Sequence, residues 1–463
     1  MLCKIFSTII LAAGKGRRMC SNIPKVLHRI GGKFVLQYVI DTAIRVGSKD
    51  IYVVYSDDYG KNILKDTLGA QNNFVDWVLQ NPVCGTGHAV NQVLSFLSDD
   101  IDILILYGDV PFVSPYTLRK LFDAKPVGGV SLLTAFLRKN SGYGRIIRQN
   151  GKVSNIIEDS DLTEDQKDIH EVNTGVMVVT GRDLKRWVNC IKCVNANREF
   201  YLTDIIHMAW LEDCTVNTVF PKDNNEVSGV NNKLQLVELE RIYQKKQAEF
   251  LLSNGVFLSD IYRFSLRGKL YHGDDVYIDV NVVIEGTVCL GNRVNIGIGC
   301  ILKNSVVYDD VVIYPYSLID GVKISSHSIV GPFARLRAGS ELGSESVIGN
   351  FVELKNTRLG EKSKINHVSY MGDADIGNMV NIGAGVISCN YDGFDKHKTV
   401  IDDNAFVGAD SQLVAPVTIG AGAKIGAGTT VTRDVLPDEM IISRVRQFPI
   451  TSWKRILKKD NGD

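Results

Sequence analysis

The sequence predicts two domains of different class, an α/β sheet domain followed by a parallel β-helix. Three observations support this. The chain has 463 residues, which is too long for one hydrophobic core. Its first half alternates strand-like and helical patterns. Near its end, an aliphatic residue returns at every sixth position over long stretches, a period that fits neither a lone strand nor a helix.

The N-terminal half reads as a mostly parallel sheet with helices between its strands. The first buried strand is predicted within residues 3–13. Further strand-like runs lie at 51–55, 101–106, 129–135 and 172–179, and helical patterns lie at 35–46 and 89–97. Alternating strands and helices are typical of a parallel α/β sheet, whose binding crevice lies at the carboxyl ends of the strands.

A long helix is predicted between the two domains. Residues 232–252 are rich in Leu, Glu, Gln and Lys and contain no glycine or proline. We therefore predict a sheet domain over 1–229, a helical linker over 230–252, and a β-helix domain with a C-terminal tail over 253–463.

The period of six indicates a solenoid in which each hexad supplies one short strand and one turn, and three hexads complete a coil. Five-residue steps at 302–307 and 319–324 interrupt the repeat, and a polar segment at 388–398 breaks it. An insertion in a solenoid loops out of one face and is often functional. The aliphatic positions are Ile278, Ile284, Leu290, Ile296, Leu302, Val330, Leu336, Leu342, Ile348, Leu354, Ile401, Val407, Leu413, Ile419, Ile425 and Val431.

Composition excludes several classes of protein. Lys plus Arg and Asp plus Glu both number 52, so the net charge is zero, which argues against a nucleic-acid binder. No apolar run reaches the ~18 residues of a membrane span. The run 5–13 resembles a short signal segment, but it leads into a basic glycine loop, so a strand is favoured. Nine scattered cysteines favour reduced thiols in the cytoplasm; zinc or redox use of Cys190 and Cys193 is the alternative.

Three features of the first domain suit a nucleotide. The loop 14–18, GKGRR, follows the first strand and offers backbone N–H groups and arginines to phosphates, although its spacing is neither a Walker A loop nor a Rossmann fingerprint. Asp109 follows another strand, where a carboxylate can bind a divalent cation bridging phosphates. Gln80 and the turn 85–88 precede a helix and can meet a base or a phosphate. Taken singly, the loop can be a tight turn and Asp109 a helix cap.

Together these features resemble the sugar-nucleotide pyrophosphorylase family. The family pattern L-x-x-G-x-G-T-x-M-x4-P-K is matched at Leu11, Gly14, Gly16, Arg18, Met19, Pro24 and Lys25, with Arg17 where the family has threonine. The likeness continues through 142–145, Glu158, 173–175 and 229–232. It implies a Rossmann-like nucleotidyltransferase domain.

The resemblance also implies roles. Arg18 and Lys25 would be catalytic, holding the triphosphate and the attacking sugar phosphate. Asp109 and Asn231 would bind Mg²⁺. The remaining residues that would bind UTP or UDP-N-acetylglucosamine are Leu11, Ala12, Ala13, Gly14, Gln80, Gly85, Thr86, Tyr107, Gly108, Gly144, Glu158 and Asn173. The attacking phosphate is already anionic, so positioning and charge neutralisation suffice.

Polar side chains gather on the second half of the solenoid. Arg337 and Lys355 are 18 positions apart, one coil, so they are predicted to stack as a phosphate clamp. His367 is the predicted general base, because a neutral imidazole can take a proton from an attacking amine. We expect Glu353 to orient its ring. A surface histidine on a plain structural repeat is the alternative.

This half resembles the acetyltransferase half of the bacterial bifunctional N-acetylglucosamine-1-phosphate uridylyltransferase / glucosamine-1-phosphate N-acetyltransferase enzymes. The resemblance covers essentially the whole chain. It implies a left-handed parallel β-helix of hexapeptide repeats, a homotrimer, and an acetyl-CoA site between subunits. Glucosamine-1-phosphate would contact Arg337, Lys355, Tyr370, Asn381 and Asn390. Acetyl-CoA would contact Ala384, Asn390, Tyr391, Ala409, Ala427 and Arg444. Position 409 is often serine in the family, so its contact here is backbone or packing.

The sequence therefore predicts a cytoplasmic enzyme with two activities and no nucleic-acid or membrane partner. The first activity would N-acetylate glucosamine-1-phosphate with acetyl-CoA. The second would couple the product to UTP with Mg²⁺, releasing pyrophosphate and supplying bacterial cell-wall and outer-membrane sugar synthesis. Two alternatives remain: a single-function nucleotidyltransferase with a structural β-helix, and a non-enzymatic trimeric scaffold.

Overall fold

The computed structural model describes residues 5–56, 63–138, 142–193, 195–443 and 445–453. The chain divides into two compact units, Met1–Lys245 and Lys246–Asp463. The division falls inside a helix of 21 residues, Lys233–Ser253, where the sequence predicts a helix over 232–252. Among the described residues, no helix has both the length and the apolar character that crossing a membrane requires.

The first unit is built on one twisted sheet with helices on both faces. Its strands are β1 (Phe6–Leu11), β2 (Arg29–Ile30), β3 (Lys33–Phe34), β4 (Asp50–Tyr55), β5 (Val75–Leu79), β6 (Asp102–Tyr107), β7 (Val130–Phe136), β8 (Arg145–Gln149), β9 (Lys152–Ile157), β10 (Glu171–Thr180) and β11 (Val216–Val219). The helices that begin in this unit are α1 (Val35–Arg45), α2 (Ile63–Leu68), α3 (Thr86–Asn91), α4 (Pro115–Ala124), α5 (Glu164–Lys167), α6 (Gly181–Val188), α7 (Asp204–Leu211) and α8 (Lys233–Ser253).

The main sheet has the order β11-β7-β10-β6-β1-β4-β5, the β8–β9 hairpin pairs with β10, and β2 and β3 form a separate two-stranded sheet. Strands β5, β4, β1 and β6 are parallel, as the sequence predicts. Strand β10 differs, because it runs antiparallel to β6 and β7. The chain reaches β10 through the β8–β9 hairpin rather than through a long helical crossover, which parallel pairing would require. The predicted helix over 89–97 is shorter, since α3 ends at Asn91 and a 3₁₀ turn follows.

The central strands are buried on both faces. Along β1, Ile10 belongs to a cluster that includes the α1 residues Leu36 and Ile40. Its neighbour Ile9 belongs to a second cluster with Trp187 of α6 and Ile205 of α7. Successive side chains of a strand point to opposite faces, so this near-continuous apolar run needs helices on both sides.

The second unit is a parallel β-helix. Its strands are β12 (Phe257–Leu258), β13 (Ser265–His272), β14 (Tyr277–Ile278), β15 (Val283–Leu290), β16 (Asn295–Ile296), β17 (Ile301–Lys303), β18 (Val306–Val307), β19 (Val312–Ile313), β20 (Leu318–Asp320), β21 (Lys323–Ile324), β22 (Ile329–Val330), β23 (Arg335–Leu336), β24 (Glu341–Leu342), β25 (Val347–Asn350), β26 (Glu353–Lys355), β27 (Arg358–Leu359), β28 (Lys364–His367), β29 (Tyr370–Gly372), β30 (Ala374–Ile376), β31 (Asn381–Ile382), β32 (Ile387–Cys389), β33 (Thr399–Ile401), β34 (Phe406–Val407), β35 (Gln412–Val414), β36 (Val417–Ile419), β37 (Lys424–Ile425), β38 (Thr430–Val431) and β39 (Met440–Ile441).

From β16 to β35, each strand pairs with the third strand further along, so three strands complete a coil. For example, β22 pairs with β25, β23 with β26, and β24 with β27, all in parallel. The aliphatic ladder forms one continuous core, and its members Ile278, Leu336 and Ile425 are at most 1% exposed. The hexapeptide solenoid predicted from the period of six is confirmed.

The polar interruption is a loop that leaves the coil. Ile387 of β32 pairs with Gln412 of β35 on the next coil, so the chain between them holds an extra segment. That segment, residues 390–398, lies between β32 and β33. Tyr391 and Lys396 form an antiparallel bridge that closes the loop on itself.

Candidate active sites

A cavity of about 710 Å³ lies at the carboxyl ends of β1 and β6 in the first unit. These adjacent parallel strands end side by side, with Leu11 paired to Tyr107. The predicted residues on the cavity wall are Leu11, Ala12, Ala13, Gly14, Arg18, Lys25, Gln80, Gly85, Thr86, Tyr107, Asp109, Gly144, Glu158, Asn173 and Asn231. Gly108 lies beneath the wall, where its N–H donates to Leu11 O at 2.9 Å. The structure thus brings together residues from six separate stretches of the chain.

The basic loop takes its shape from Gly16. This residue has a left-handed φ of 57°, and a Cβ there would lie 2.9 Å from Lys25 Cβ. Glycine adopts this conformation without a steric cost. The following 3₁₀ turn buries Met19 and leaves the side chains of Arg17 and Arg18 exposed on the cavity wall.

Four polar side chains meet at one end of the cavity. Lys25 Nζ forms an ion pair with the Asp109 carboxylate, and both side chains are less than 17% exposed. Asn231 Oδ1 accepts hydrogen bonds from Arg18 at 3.1 Å and from Lys25 at 3.4 Å. The cations therefore lie beside the two oxygen-bearing side chains, Asp109 and Asn231.

The oxygen atoms of Asp109 and Asn231 are chemically suited to Mg²⁺. Both approach Lys25 Nζ, so they lie on the same side of the cavity. Mg²⁺ prefers oxygen ligands and usually takes one or two from the protein and the rest from phosphates and water. Among the described residues, no group of three His, Cys, Asp or Glu side chains has metal-binding geometry. Two protein oxygens are enough for an ion that binds together with a phosphate chain.

Another wall of the cavity is acidic and narrow. Burial raises the pKa of Glu158, although the hydrogen bond from Thr203 at 2.9 Å opposes this. Asn173 is buried at 8% exposure and its N–H donates to Gly144 O at 2.8 Å. A Cβ on Gly144 would lie 3.0 Å from Ile156 Cγ2, so the close wall favours glycine. Carboxyl groups, whether neutral or ionised, and amide groups form hydrogen bonds with the hydroxyl groups of a sugar.

A third wall is formed by the turn before α3. Gly85 has φ of 99°, and a Cβ there would lie 2.6 Å from Phe200 O, so only glycine fits. Thr86 Oγ1 accepts a hydrogen bond from Leu202 N at 3.0 Å. Sequence patterns missed the segment 199–202 because it belongs to no motif; its proximity to the turn follows only from the fold.

Arg337 and Lys355, which the sequence predicts to stack as a phosphate clamp, lie on adjacent coils. Arg337 N donates to Leu354 O at 2.9 Å, which places Arg337 and Lys355 at matching positions of adjacent coils. Arg337 forms an ion pair with Glu353 at 3.1 Å, and Lys355 forms one with Asp373 at 3.4 Å. Two cations therefore lie on one edge of adjacent coils.

The inserted loop adds a third cation that sequence analysis missed. The approach of Lys355 lowers the pKa of Lys396, and the charge of Arg337 acts in the same direction, whereas the charge of Asp373 opposes both. Asp373 also accepts hydrogen bonds from Asn356 at 2.8 Å and from Asn390 at 2.6 Å. The only sequence signal for Lys396 was its place in the interruption of the repeat.

His367 is held by a partner other than the expected one. Its Nδ1 lies 2.9 Å from Asn350 Oδ1, and these residues are paired between β25 and β28. Glu353 pairs with Arg337 instead. An amide oxygen accepts from Nδ1–H, so in the neutral ring Nε2 carries the lone pair.

The remaining predicted residues lie around the same coils. Tyr370 and Asn381 lie in β29 and β31 and are partly buried. Asn390 is 7% exposed and donates to Asp373, whereas Tyr391 is 62% exposed. Ala384, Ala409 and Ala427 occupy turns of successive coils: Ala384 O accepts from Asp410 N at 2.7 Å, and Ala409 O accepts from Gly428 N at 2.8 Å. Arg444 lies outside the described residues.

Comparison with known families divides the chain in the same order. Residues 8–143 match the MobA-like NTP transferase domain. Residues 266–346 match the GMPPB C-terminal domain, and residues 398–433 match the bacterial transferase hexapeptide (six repeats). The chain thus carries a nucleotidyltransferase-type domain followed by transferase-type hexapeptide repeats.

Solved structures similar to the chain include a protein described as a glucose-1-phosphate thymidylyltransferase from Bacillus anthracis in complex with a sucrose. It is 17% identical, with TM-score 0.42, over 51% of this chain and 94% of that one. A nucleotidyl transferase from Methanothermobacter is 15% identical, with TM-score 0.37, over 52% and 99%. A UDP-glucose pyrophosphorylase complexed with UDP-glucose is 17% identical, with TM-score 0.41, over 52% and 99%.

Proposed function

We propose that the chain is a bifunctional enzyme that makes UDP-N-acetylglucosamine from glucosamine-1-phosphate, acetyl-CoA and UTP. The second unit transfers the acetyl group, and the first unit transfers the uridylyl group. The observation that carries the first activity is the meeting of Lys25, Arg18, Asp109 and Asn231 in a cavity of about 710 Å³. The observation that carries the second is the position of His367 on the coil that follows Lys355, which stacks on Arg337 and approaches Lys396 of the inserted loop.

In the uridylyl transfer, an oxygen of N-acetylglucosamine-1-phosphate attacks the α-phosphorus of UTP. The bond from that phosphorus to the bridging α–β oxygen breaks, and pyrophosphate leaves with the electron pair. Arg18 and Lys25 neutralise the repelling anions and hold the attacking oxygen in line. When bound, Mg²⁺ held by Asp109 and Asn231 would supply further neutralisation of phosphate charge.

The sugar and the base bind at other walls of the same cavity. Glu158, Asn173 and the backbone at Gly144 hold the N-acetyl sugar, and Gln80 with the 85–86 turn holds uracil. Ala12, Ala13 and Gly14 lie at the carboxyl end of β1, beside the phosphates. These assignments draw support from the cavity, which gathers all of these residues along its walls.

In the acetyl transfer, the amine of glucosamine-1-phosphate attacks the thioester carbonyl of acetyl-CoA. His367 Nε2 takes the proton from the amine nitrogen, the C–S bond breaks, and the CoA thiolate leaves. Arg337, Lys355 and Lys396 bind the sugar phosphate as a cluster of cations. Tyr370, Asn381 and Asn390 contact the sugar.

Acetyl-CoA would lie along the turns that carry Ala384, Ala409 and Ala427, with Tyr391 near the acetyl group. Small side chains there leave the backbone accessible to an extended ligand. Hexapeptide β-helices are often trimeric, and we propose a homotrimer in which the acetyl-CoA site lies between subunits, with Arg444 among its contacts.

An assay that follows CoA and pyrophosphate separately tests both activities. We expect His367→Ala to abolish CoA release from glucosamine-1-phosphate and acetyl-CoA but to release pyrophosphate from UTP and N-acetylglucosamine-1-phosphate. We expect Lys25→Ala to show the opposite pattern. If His367→Ala transferred the acetyl group at the wild-type rate, His367 would not be the base and a purely structural β-helix would be favoured. If the wild type released no pyrophosphate, the proposed uridylyl transfer would be refuted.

A further inference from the structure

His397, which has no role in the proposed reactions, forms a hydrogen bond across the inserted loop of the β-helix. Its Nε2 lies 2.7 Å from Asp392 Oδ2, five residues earlier in the chain. A carboxylate oxygen can only accept, so Nε2 of His397 carries the hydrogen and donates it. This hydrogen bond lowers the pKa of Asp392, as do the backbone hydrogen bonds to the same carboxylate. We call the pair of His397 and Asp392 the clasp.

Asp392 also shapes the turn at the tip of the loop. Its Oδ1 accepts from Phe394 N and from Asp395 N, both at 2.8 Å. Its own backbone N–H donates to Asp395 O at 3.2 Å. The carboxylate thus uses one oxygen for the turn and the other for His397, so the clasp joins the tip of the loop to the segment that returns to the coil.

The returning segment carries Lys396, directly before His397. The backbone N–H of His397 donates to Asn390 O at 2.8 Å, and the Asn390 side chain donates to Asp373 of the coil at 2.6 Å. On its other side, Lys396 forms the antiparallel bridge with Tyr391. The backbone of Lys396 is therefore held by the bridge and by the contacts of His397.

Lys396 needs such support because it lies close to two other cations. The charges of Lys355 and Arg337 repel its ammonium group, whereas the charge of Asp373 attracts it. Lys396 is exposed, so in a loosely held loop its flexible side chain would move into water, where the repulsion is weaker. A phosphate group attracts all three cations, and binding it costs less if the third one is already in place.

We propose that His397 is a positioning residue for the sugar phosphate: by donating to Asp392 it holds the inserted loop closed and keeps Lys396 beside Lys355. This rests on the proposed function for the identity of the phosphate ligand, but not on turnover. Loss of the His397 donor releases the tip of the loop, and the ligand must then order Lys396 at the expense of binding free energy.

Calorimetric binding of glucosamine-1-phosphate to the full chain without acetyl-CoA tests the inference. His397→Phe keeps a ring but removes the donor, and His397→Gln keeps a donor near the position of Nε2. We expect His397→Phe to weaken binding about three- to tenfold, the effect of losing about one hydrogen bond, and His397→Gln to stay within about twofold of the wild type.

A double-mutant cycle with Lys396 separates positioning from a general change in the loop. If His397 acts through Lys396, then His397→Phe should change the affinity by less than about twofold in a Lys396→Ala background, because the cation that it positions is already absent. An equal loss in both backgrounds would overturn the role of His397. An unchanged affinity in His397→Phe alone, or an equal loss in His397→Phe and His397→Gln, would also overturn it.

The proposed function is read separately from this inference. The expected affinities in a protein that releases no CoA would support the role of His397 and refute the acetyl transfer. A wild type that binds no glucosamine-1-phosphate would refute both. If His397→Phe does not fold, His397→Leu also lacks the donor and is read in the same way.

Discussion

His367 Nδ1 and Asn350 Oδ1 lie 2.9 Å apart on adjacent coils of the β-helix. The two residues are directly paired in the parallel ladder between β25 and β28. The stacking of the coils, rather than a loop, therefore places the amide against the ring. This contact assigns the hydrogen to Nδ1 and leaves Nε2 as the base.

Asn350→Ala should slow acetyl transfer by about tenfold, less than the ~10²–10⁴-fold loss expected for His367→Ala, because the imidazole stays but loses its fixed orientation. Asn350→Asp keeps an acceptor and should retain most of the rate. CoA release from glucosamine-1-phosphate and acetyl-CoA measures both. Equal rates for Asn350→Ala and the wild type would show that the contact does not orient the base.

The cation cluster makes a second prediction. Lys396→Ala should raise the KM for glucosamine-1-phosphate about tenfold, since it removes one charged contact to the phosphate. Lys398→Ala is the matched control, because Lys398 belongs to the same loop but pairs with the exposed Asp375. The KM of CoA release measures the effect, and a similar change in both variants would indicate damage to the loop rather than loss of a phosphate contact.

The period of the sequence predicted the β-helix and the stack of Arg337 on Lys355, because these two residues are one full coil of 18 apart. The same arithmetic did not find Asn350, which lies 17 residues before His367. Coils of 17 and of 18 residues both occur, because some hexads lose one position, so a fixed period does not identify the partner of a given side chain. Glu353, fourteen residues before His367, was expected to orient the ring from the neighbouring coil, and it pairs with Arg337 instead.

Lys396 and Asp373 were missed for a different reason. Lys396 belongs to the inserted loop, which follows no repeat, and its approach to Lys355 depends on the bridge that closes the loop on itself. In the first unit, the motifs identified the cavity wall well, because strand ends of a parallel sheet meet at one edge. The segment 199–202, which contacts the turn at Gly85 and Thr86, belongs to no sequence motif, so its place beside the cavity depends on packing alone.

Arg17 stands where the resembled family has threonine and lies on the cavity wall. Arg17→Thr should raise the KM for UTP about two- to tenfold and weaken its dependence on salt, because a cation near the phosphates is lost. Arg45→Thr removes an exposed arginine at the end of α1 and serves as the control. Initial rates of pyrophosphate release at low and high salt give the KM for UTP under both conditions. If Arg17→Thr and the wild type have the same KM values, Arg17 does not contact the phosphates.

Glu158 makes the stability of the protein depend on pH. Burial raises its pKa above the ordinary 4.5, so the folded chain binds this proton more tightly than the unfolded chain does. Its contribution to the free energy of unfolding therefore falls as pH rises from about 4.5 through the folded pKa. Glu158→Gln cannot ionise, so its stability relative to the wild type should increase over that range.

Melting temperatures of the two proteins between pH 4.5 and pH 8 measure this difference. Glu164→Gln removes an exposed carboxylate of α5 and controls for the loss of a charge. A difference between Glu158→Gln and the wild type that stays constant with pH would contradict the raised pKa.

Gly349 is required by the close approach of two coils beside His367. A Cβ at this position would lie 1.9 Å from Asn366 O, a backbone atom that cannot move without shifting β28. Gly349→Ala should therefore destabilise the β-helix by about 1–3 kcal/mol and displace His367 from Asn350, lowering acetyl transfer while pyrophosphate release persists. Gly426→Ala is the control, because Gly426 also follows a residue of the aliphatic ladder. A Cβ at Gly426 would lie 2.9 Å from Cγ1 of Ile442, a side-chain atom that can rotate away. Thermal melting and the two product assays distinguish the variants, and equal effects in both would mean that the backbone contact with Asn366 is not what excludes a side chain at 349.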